Sequence, residues 1–219
     1  MTALLHVRCL YVSDESIELI LCDVGGVLGS NGWDHRQRAS AAEHFGFDYQ
    51  TFERRHEEAV DTWESGRMTL DEYLDFTVFN AERQFTREAF TAFMLSQSDP
   101  NPAALKLMAD LASQRQWRMM TMNNESAELN AHRVQLFGLR PIFSAFLTSA
   151  YIGLQKPSPG FYDRALAIAH ADPERTVFID DRPENLAPAR ERGVHCVQAL
   201  DTDAVRDGLA ALGVRARDL

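Results

Sequence analysis

A doubly wound parallel α/β sheet carrying an all-helical insert is the fold this sequence predicts, on three observations. The apolar run Leu19-Ile20-Leu21-Cys22 reads as a strand buried on both faces, and it stops at Asp23, just before Gly25-Gly26. From residue 100 onward strand-like and helical stretches alternate, as crossover helices over a parallel sheet require. Between these regions, residues 34–98 carry helical periodicity and no strand signal. The expected organisation is an α/β core over 17–33 and 99–219, a helical cap over 34–98 and an N-terminal extension over 1–16. That extension contains Leu4, Leu5, Val7 and Leu10, and reads equally as an edge strand or as a lead-in without regular structure.

Each element has a local reason. The first strand is expected over 18–23. His35–Phe45 follows as a helix stopped at Gly46, and Asp48 caps a second running to Ser65-Gly66, with Phe52, His56, Ala59 and Trp63 along one stripe. Thr69 and Glu72 have capping-box spacing and open a third helix, while Thr86 starts a fourth through Phe90 and Phe93. The aromatic residues here recur at helical spacing, which assigns them to a core rather than to a cofactor stack. Asn101-Pro102 supplies an N-cap and an N1 proline. Trp117–Met122 is the second strand, with Asn123-Asn124-Glu125-Ser126 as its turn into a helix, and Phe146–Ser149 is the third. The loop Gly153–Pro157 leads to a helix over Ser158–Ala169. Thr176–Ile179 is the fourth strand, ending in Asp180-Asp181; a helix over Glu184–Arg192 stops at Gly193, and Val194–Gln198 precedes a final helix.

Composition narrows the function classes. No run approaches the roughly 18 apolar residues of a membrane helix, and the N-terminus lacks the layout of a secretion signal. Cys9, Cys22 and Cys196 have no disulfide or zinc spacing, so a cytoplasmic protein is expected. A net charge of −10 argues against nucleic-acid and anionic-membrane surfaces, and leaves monomer or homodimer open. Lys106 and Lys156 are the chain's two lysines.

In a doubly wound sheet, Asp23, Asn123-Asn124, Lys156 and Asp180-Asp181 all fall on one carboxyl edge. Three carboxylates crowded together repel one another and need a cation. Oxygen ligands without His or Cys suit Mg²⁺ shared with a phosphate. A lysine, two side-chain amides and the N–H groups of the Val24-Gly25-Gly26 turn would hold a phosphoryl group's oxygens. Asp23 is then either a ligand or a nucleophile, since carboxylates form aspartyl-phosphates in covalent catalysis.

In this order, Asp23, Asn123, Lys156 and Asp180-Asp181 resemble the four motifs of the haloacid dehalogenase-like (HAD) hydrolase superfamily. The likeness runs from Ile17 over nearly the whole chain. Phe178-Ile179-Asp180-Asp181-Arg182-Pro183-Glu184-Asn185 resembles the fourth motif, Lys156-Pro157 the third, and the insert stands where the family's first subfamily carries its small helical cap. The resemblance implies a Mg²⁺-dependent phosphatase of a small phosphorylated metabolite. In it Asp23 attacks phosphorus, Lys156 neutralises the transferred group, Asn123, Asn124 and Gly26 help bind it, and Asp23, the Gly25 carbonyl and the Asp180-Asp181 pair hold the metal, through Asp180 or Asp181.

Two departures stand out. The family's common Asp-x-Asp has a second Asp that protonates the leaving oxygen; here that position is Gly25, as in the family's Asp-x-Gly-Gly subset. Asn123 replaces the usual Ser or Thr. Asp34 and His35 are candidates for the missing acid, against the plainer reading of a helix N-terminus. Arg54, Arg55 and Arg67 are candidates for a second anionic group, against that of solvated helix faces. A metal-independent 2-haloacid dehalogenase and a phospho-ligand-binding protein with little turnover are the alternative functions.

Overall fold

The computed structural model describes residues 16–217, so the expectations for residues 1–15 lie outside the described residues. Its frame begins with β1 (Leu19–Cys22), whose alternate side chains enter opposite layers. Ile20 and Cys22 pack into one apolar cluster, Leu19 and Leu21 into another.

The chain then enters the insert through α1 (His35–Phe45), α2 (Tyr49–Glu64), α3 (Leu70–Thr77) and α4 (Arg87–Ser96). Asp34, Asp48, Thr69 and Thr86 each accept a backbone N–H as N-cap, and Thr69 with Glu72 completes the capping box. Phe52, Trp63, Tyr73 and Phe90 are buried together beneath these helices, so the aromatic stripe is a core.

The remaining chain alternates strand and helix: α5 (Pro102–Ser113), β2 (Arg118–Asn123), α6 (Ala127–Leu136), β3 (Ala145–Thr148), α7 (Ser149–Ile152), α8 (Pro159–Ala169), β4 (Thr176–Asp180), α9 (Pro183–Arg190), β5 (His195–Gln198) and α10 (Thr202–Ala211). The five strands of the described residues pair in parallel in the order β3-β2-β1-β4-β5. Starting in the middle and winding outward to both sides puts the switch point at the carboxyl ends of the central strands. Several boundaries differ from expectation, and Asn123, expected in the turn, is the last residue of β2. α7 turns a loop into one helical turn, too short to leave a periodicity. Asp180 is the last residue of β4, where strand chemistry gives way to the site.

The insert is tied to the sheet at the end of α2. Ser149 Oγ donates to the Glu64 carbonyl at 2.6 Å, and Gln155 Nε2 to that of Asp61 at 3.1 Å. Gly66 turns away with φ +72°, and a Cβ there would lie 2.1 Å from the Ala150 carbonyl oxygen. Gly66→Ala therefore meets both a left-handed backbone and a rigid neighbour, and is expected to destabilise by about 1–3 kcal/mol, read as a lower urea midpoint.

Candidate active site

Cys22 lies beside Ile179 in the register of β1 and β4, so the next residues, Asp23 and Asp180, leave the sheet side by side. Lys156 Nζ sits between them, 3.0 Å from Asp23 Oδ2 and 2.6 Å from Asp180 Oδ2. The lysine arrives on the loop after α7. There the Asn124 side chain clamps it at both ends, accepting from the Lys156 N–H and donating to its carbonyl, each at 2.8 Å. Asp180 is held further by the Arg182 N–H at 2.9 Å and by Asn185 Nδ2 at 3.1 and 3.2 Å.

The acids are crowded. Burial pushes the Asp23 carboxyl up to about 7; Lys156 pulls it down and Asp180 pushes it up again. Burial disfavours the Lys156 charge, yet the two carboxylates outweigh that and hold the ammonium more firmly protonated than usual. Asp181 is raised by burial and by Asp180, and its Oδ1 is buried without a hydrogen-bond partner among the described residues.

One oxygen from each of Asp23, Asp180 and Asp181 lies within 4.8 Å of the others. An unpartnered carboxylate oxygen and an all-oxygen donor set fit a hard divalent cation. Gly26, at φ +73°, makes room for this: a Cβ there would fall 2.3 Å from Asp181 Oδ2. Of the turn N–H groups, Val24 donates to Asp23 Oδ1 and Gly26 to the Gly29 carbonyl, which leaves Gly25 facing the cavity.

Asp23, Asn124 and Lys156 line a cavity of about 490 Å³ between sheet edge and insert. Asn123 does not line it: the side chain is buried, accepting from Thr148 Oγ1 at 3.2 Å and donating to Asn130 Oδ1 at 3.3 Å. Asp34 and His35 stand at the rim, with Asp34 capping α1 and His35 largely exposed. Arg54, Arg55 and Arg67 lie outside the lining; they pair with Glu58, the Phe76 carbonyl and Ser65 respectively.

Other charged and polar residues also line the cavity, and sequence reasoning missed them. Arg133, on α6, pairs with Glu125 at 3.2 Å and donates to the Asn31 carbonyl at 2.8 Å. Arg38 forms a two-point pair with Glu53. His56 belongs to a chain in which Trp33 Nε1 donates to the Tyr73 hydroxyl at 3.0 Å and that hydroxyl lies 2.9 Å from His56 Nδ1. Burial holds His56 neutral, down at about 4. With Trp33 donating to it, the Tyr73 hydroxyl can give its own proton to Nδ1, which puts the imidazole proton on Nε2. Glu64, at the end of α2, also lines the cavity; burial and the Glu125 and Asp61 charges push it up to about 8.

A family model for haloacid dehalogenase-like hydrolases matches residues 17–193. Bifunctional epoxide hydrolase 2 of Sus scrofa is 32% identical over 93 residues, 42% of this chain and 17% of that protein. Its Rattus norvegicus counterpart is 37% identical over 60 residues, 27% of this chain and 11% of that protein. The chain thus spans less than a fifth of these relatives' length. Among solved structures, a HAD family enzyme from Bacteroides thetaiotaomicron in complex with magnesium and inorganic phosphate superposes with a TM-score of 0.69 at 20% identity, covering 84% of this chain and 94% of that one. The L-2-haloacid dehalogenase of Xanthobacter autotrophicus gives 0.59 at 17% identity, covering 93% and 90%. At these identities the structural likeness speaks for the fold alone.

Proposed function

The chain belongs to the haloacid dehalogenase-like hydrolases, and from that membership we propose that it is a Mg²⁺-dependent phosphatase of a small phosphorylated metabolite. The observation that carries the reading is the buried Asp23–Lys156–Asp180 triplet with the unpartnered Asp181 oxygen beside it. Asp23, Asp180, Asp181 and the Gly25 carbonyl would hold the metal. When bound, it would offset the charge of the acids and of the phosphoryl oxygens.

The chain's own groups account for the rest. Asp23 is the nucleophile: a carboxylate oxygen attacks phosphorus and forms an aspartyl-phosphate, which water then hydrolyses. Lys156 holds negative charge where it gathers on the transferred group, and acts with little reorganisation because Asn124 fixes its backbone. Asn124 and the Gly25 N–H face the phosphoryl site. Asn123 stands behind Asn124, and Gly26 lets Asp181 close on the turn. The insert over 34–98 roofs the cavity and selects the substrate.

A 2-haloacid dehalogenase would use the same nucleophile without metal. It would leave three neighbouring acids with one lysine, which is why the phosphatase reading is preferred. The test is release of phosphate from 4-nitrophenyl phosphate. Expected are turnover with Mg²⁺, none after EDTA, and none in Asp23→Asn. Chelator-resistant chloride release from 2-chloropropionate, with no phosphate release, would overturn the reading.

A further inference from the structure

Gly25 leaves the proposed reaction without the acid that would protonate a departing oxygen, and the structure shows what fills its place. A Cβ on Gly25 would point at Asn31 Oδ1, 3.1 Å away, and at Arg133 Nη1, 3.6 Å away. The nearer neighbour is the Asn31 amide oxygen, and the Arg133 guanidinium beyond it is buried and paired with Glu125. Neither neighbour is an acid: an amide oxygen has no proton to give, and a guanidinium stays protonated.

The insert supplies an acid. Resting on the phosphatase reading, we propose that Glu64 of α2 is the proton donor to the leaving-group oxygen. Position is the first argument. The Glu64 carboxyl is influenced by Glu125 and Arg133, which follow β2, and by Arg182, which follows β4. The cavity that Glu64 lines is also walled by Asn124 after β2, Asp23 after β1 and Arg182 after β4, so Glu64 shares the chamber at the carboxyl ends of the central strands. Glu64 and Asp23 line the same cavity.

Anchoring is the second. The Glu64 carbonyl accepts from Ser149 Oγ, which itself accepts from the Glu125 N–H at 2.9 Å, and Gly66 abuts Ala150. The last turn of this insert helix is therefore fixed to the same sheet edge that carries the nucleophile. Its carboxyl makes no hydrogen bond within the described residues, so its proton is available to a ligand. The charges facing it from its own helix and the sheet loops are Asp61, Glu125, Arg182 and Arg133. Burial and the two carboxylates prevail over the two arginines and keep it protonated at neutral pH.

An Asp23 oxygen forms a bond to phosphorus, the bond from phosphorus to the ester oxygen breaks, and that oxygen takes the Glu64 proton and leaves as an alcohol. Glu64 remains as a carboxylate. It regains a proton through solvent when water hydrolyses the aspartyl-phosphate to inorganic phosphate.

A donor to the leaving group matters for alkyl esters and little for activated aryl esters. The experiment compares glycerol phosphate with 4-nitrophenyl phosphate, both with Mg²⁺, in wild type and Glu64→Gln. Expected is a loss on the order of 10²–10³-fold with the alkyl ester against less than about tenfold with the aryl ester. The retained aryl activity shows that the variant is folded. In the wild type, alkyl turnover should fall as pH rises through about 8 while aryl turnover does not. Equal loss on both esters, or no loss on either, together with wild-type pH profiles that do not differ between the esters, overturns the Glu64 role and leaves the phosphatase reading intact. A wild type inactive on both esters overturns that reading and this one with it.

Discussion

Lys156→Met is expected to abolish turnover and to cost about 3–5 kcal/mol of folding stability in chelated buffer, because removing one partner of a buried charge cluster leaves the others uncompensated. The ammonium touches two carboxylates that are themselves almost fully buried, and it lies over the Phe178 ring, 5.2 Å from its centroid. Methionine keeps the apolar packing and removes the charge, so the loss reports on electrostatics. Under the proposed function, Mg²⁺ should restore part of the stability, because it would neutralise the same oxygens, and none of the activity. Urea denaturation with EDTA or with Mg²⁺ measures both arms. A variant that unfolds at the wild-type midpoint in EDTA would show that these carboxylates do not depend on the lysine.

Asp23→Asn sharpens the contrast. The Asp23 carboxyl already resists ionisation, raised to about 7 chiefly by burial. Folded protein therefore binds the proton more tightly than the unfolded chain does. The group's contribution to stability is fully present below the ordinary carboxylate range and is lost as pH rises through about 7. A neutral amide removes that penalty. Two inactive variants of neighbouring residues should thus move in opposite directions above pH 7 in metal-free buffer, with Lys156→Met less stable than wild type and Asp23→Asn no less stable.

The sheet and helical insert were legible because their signals are local. Asp34, Asp48, Thr69, Thr86 and Asn101 announce helix starts through their own side chains, and the runs at Leu19–Cys22 and Thr176–Ile179 have no room for a second reading. Asp23, Lys156 and Asp180 were found because a parallel sheet puts its strand ends on one edge, whatever the loops do. The cavity's other walls follow no such rule. Glu64 reaches the site only because α2 ends against α7, a four-residue helix that no periodicity could reveal. Arg133 looks like any helical arginine until α6 buries it against Glu125. The paired amides at 123 and 124 were separable only by strand register. Asn123 falls opposite Thr148 and turns inward, and the next residue faces the cavity.

Arg133 also carries the second large expectation. Arg133→Leu should destabilise the protein by about 3–5 kcal/mol, since it leaves the buried Glu125 carboxylate without a cation. Burial already raises Glu125, with Arg133 the opposing influence, so its loss drives Glu125 towards the protonated form. The damage extends beyond one pair, because the same guanidinium donates to the Asn31 carbonyl and to Ser98 Oγ, joining the turn after Asp23 to the end of the insert. A double-mutant cycle isolates the charge term. Glu125→Gln should return roughly 1–3 kcal/mol when added to Arg133→Leu and should cost stability when added to wild type. Strict additivity would show that the two side chains act independently. A coupling of this sign would show that the two buried charges act as one unit, joining the turn after Asp23 to α6.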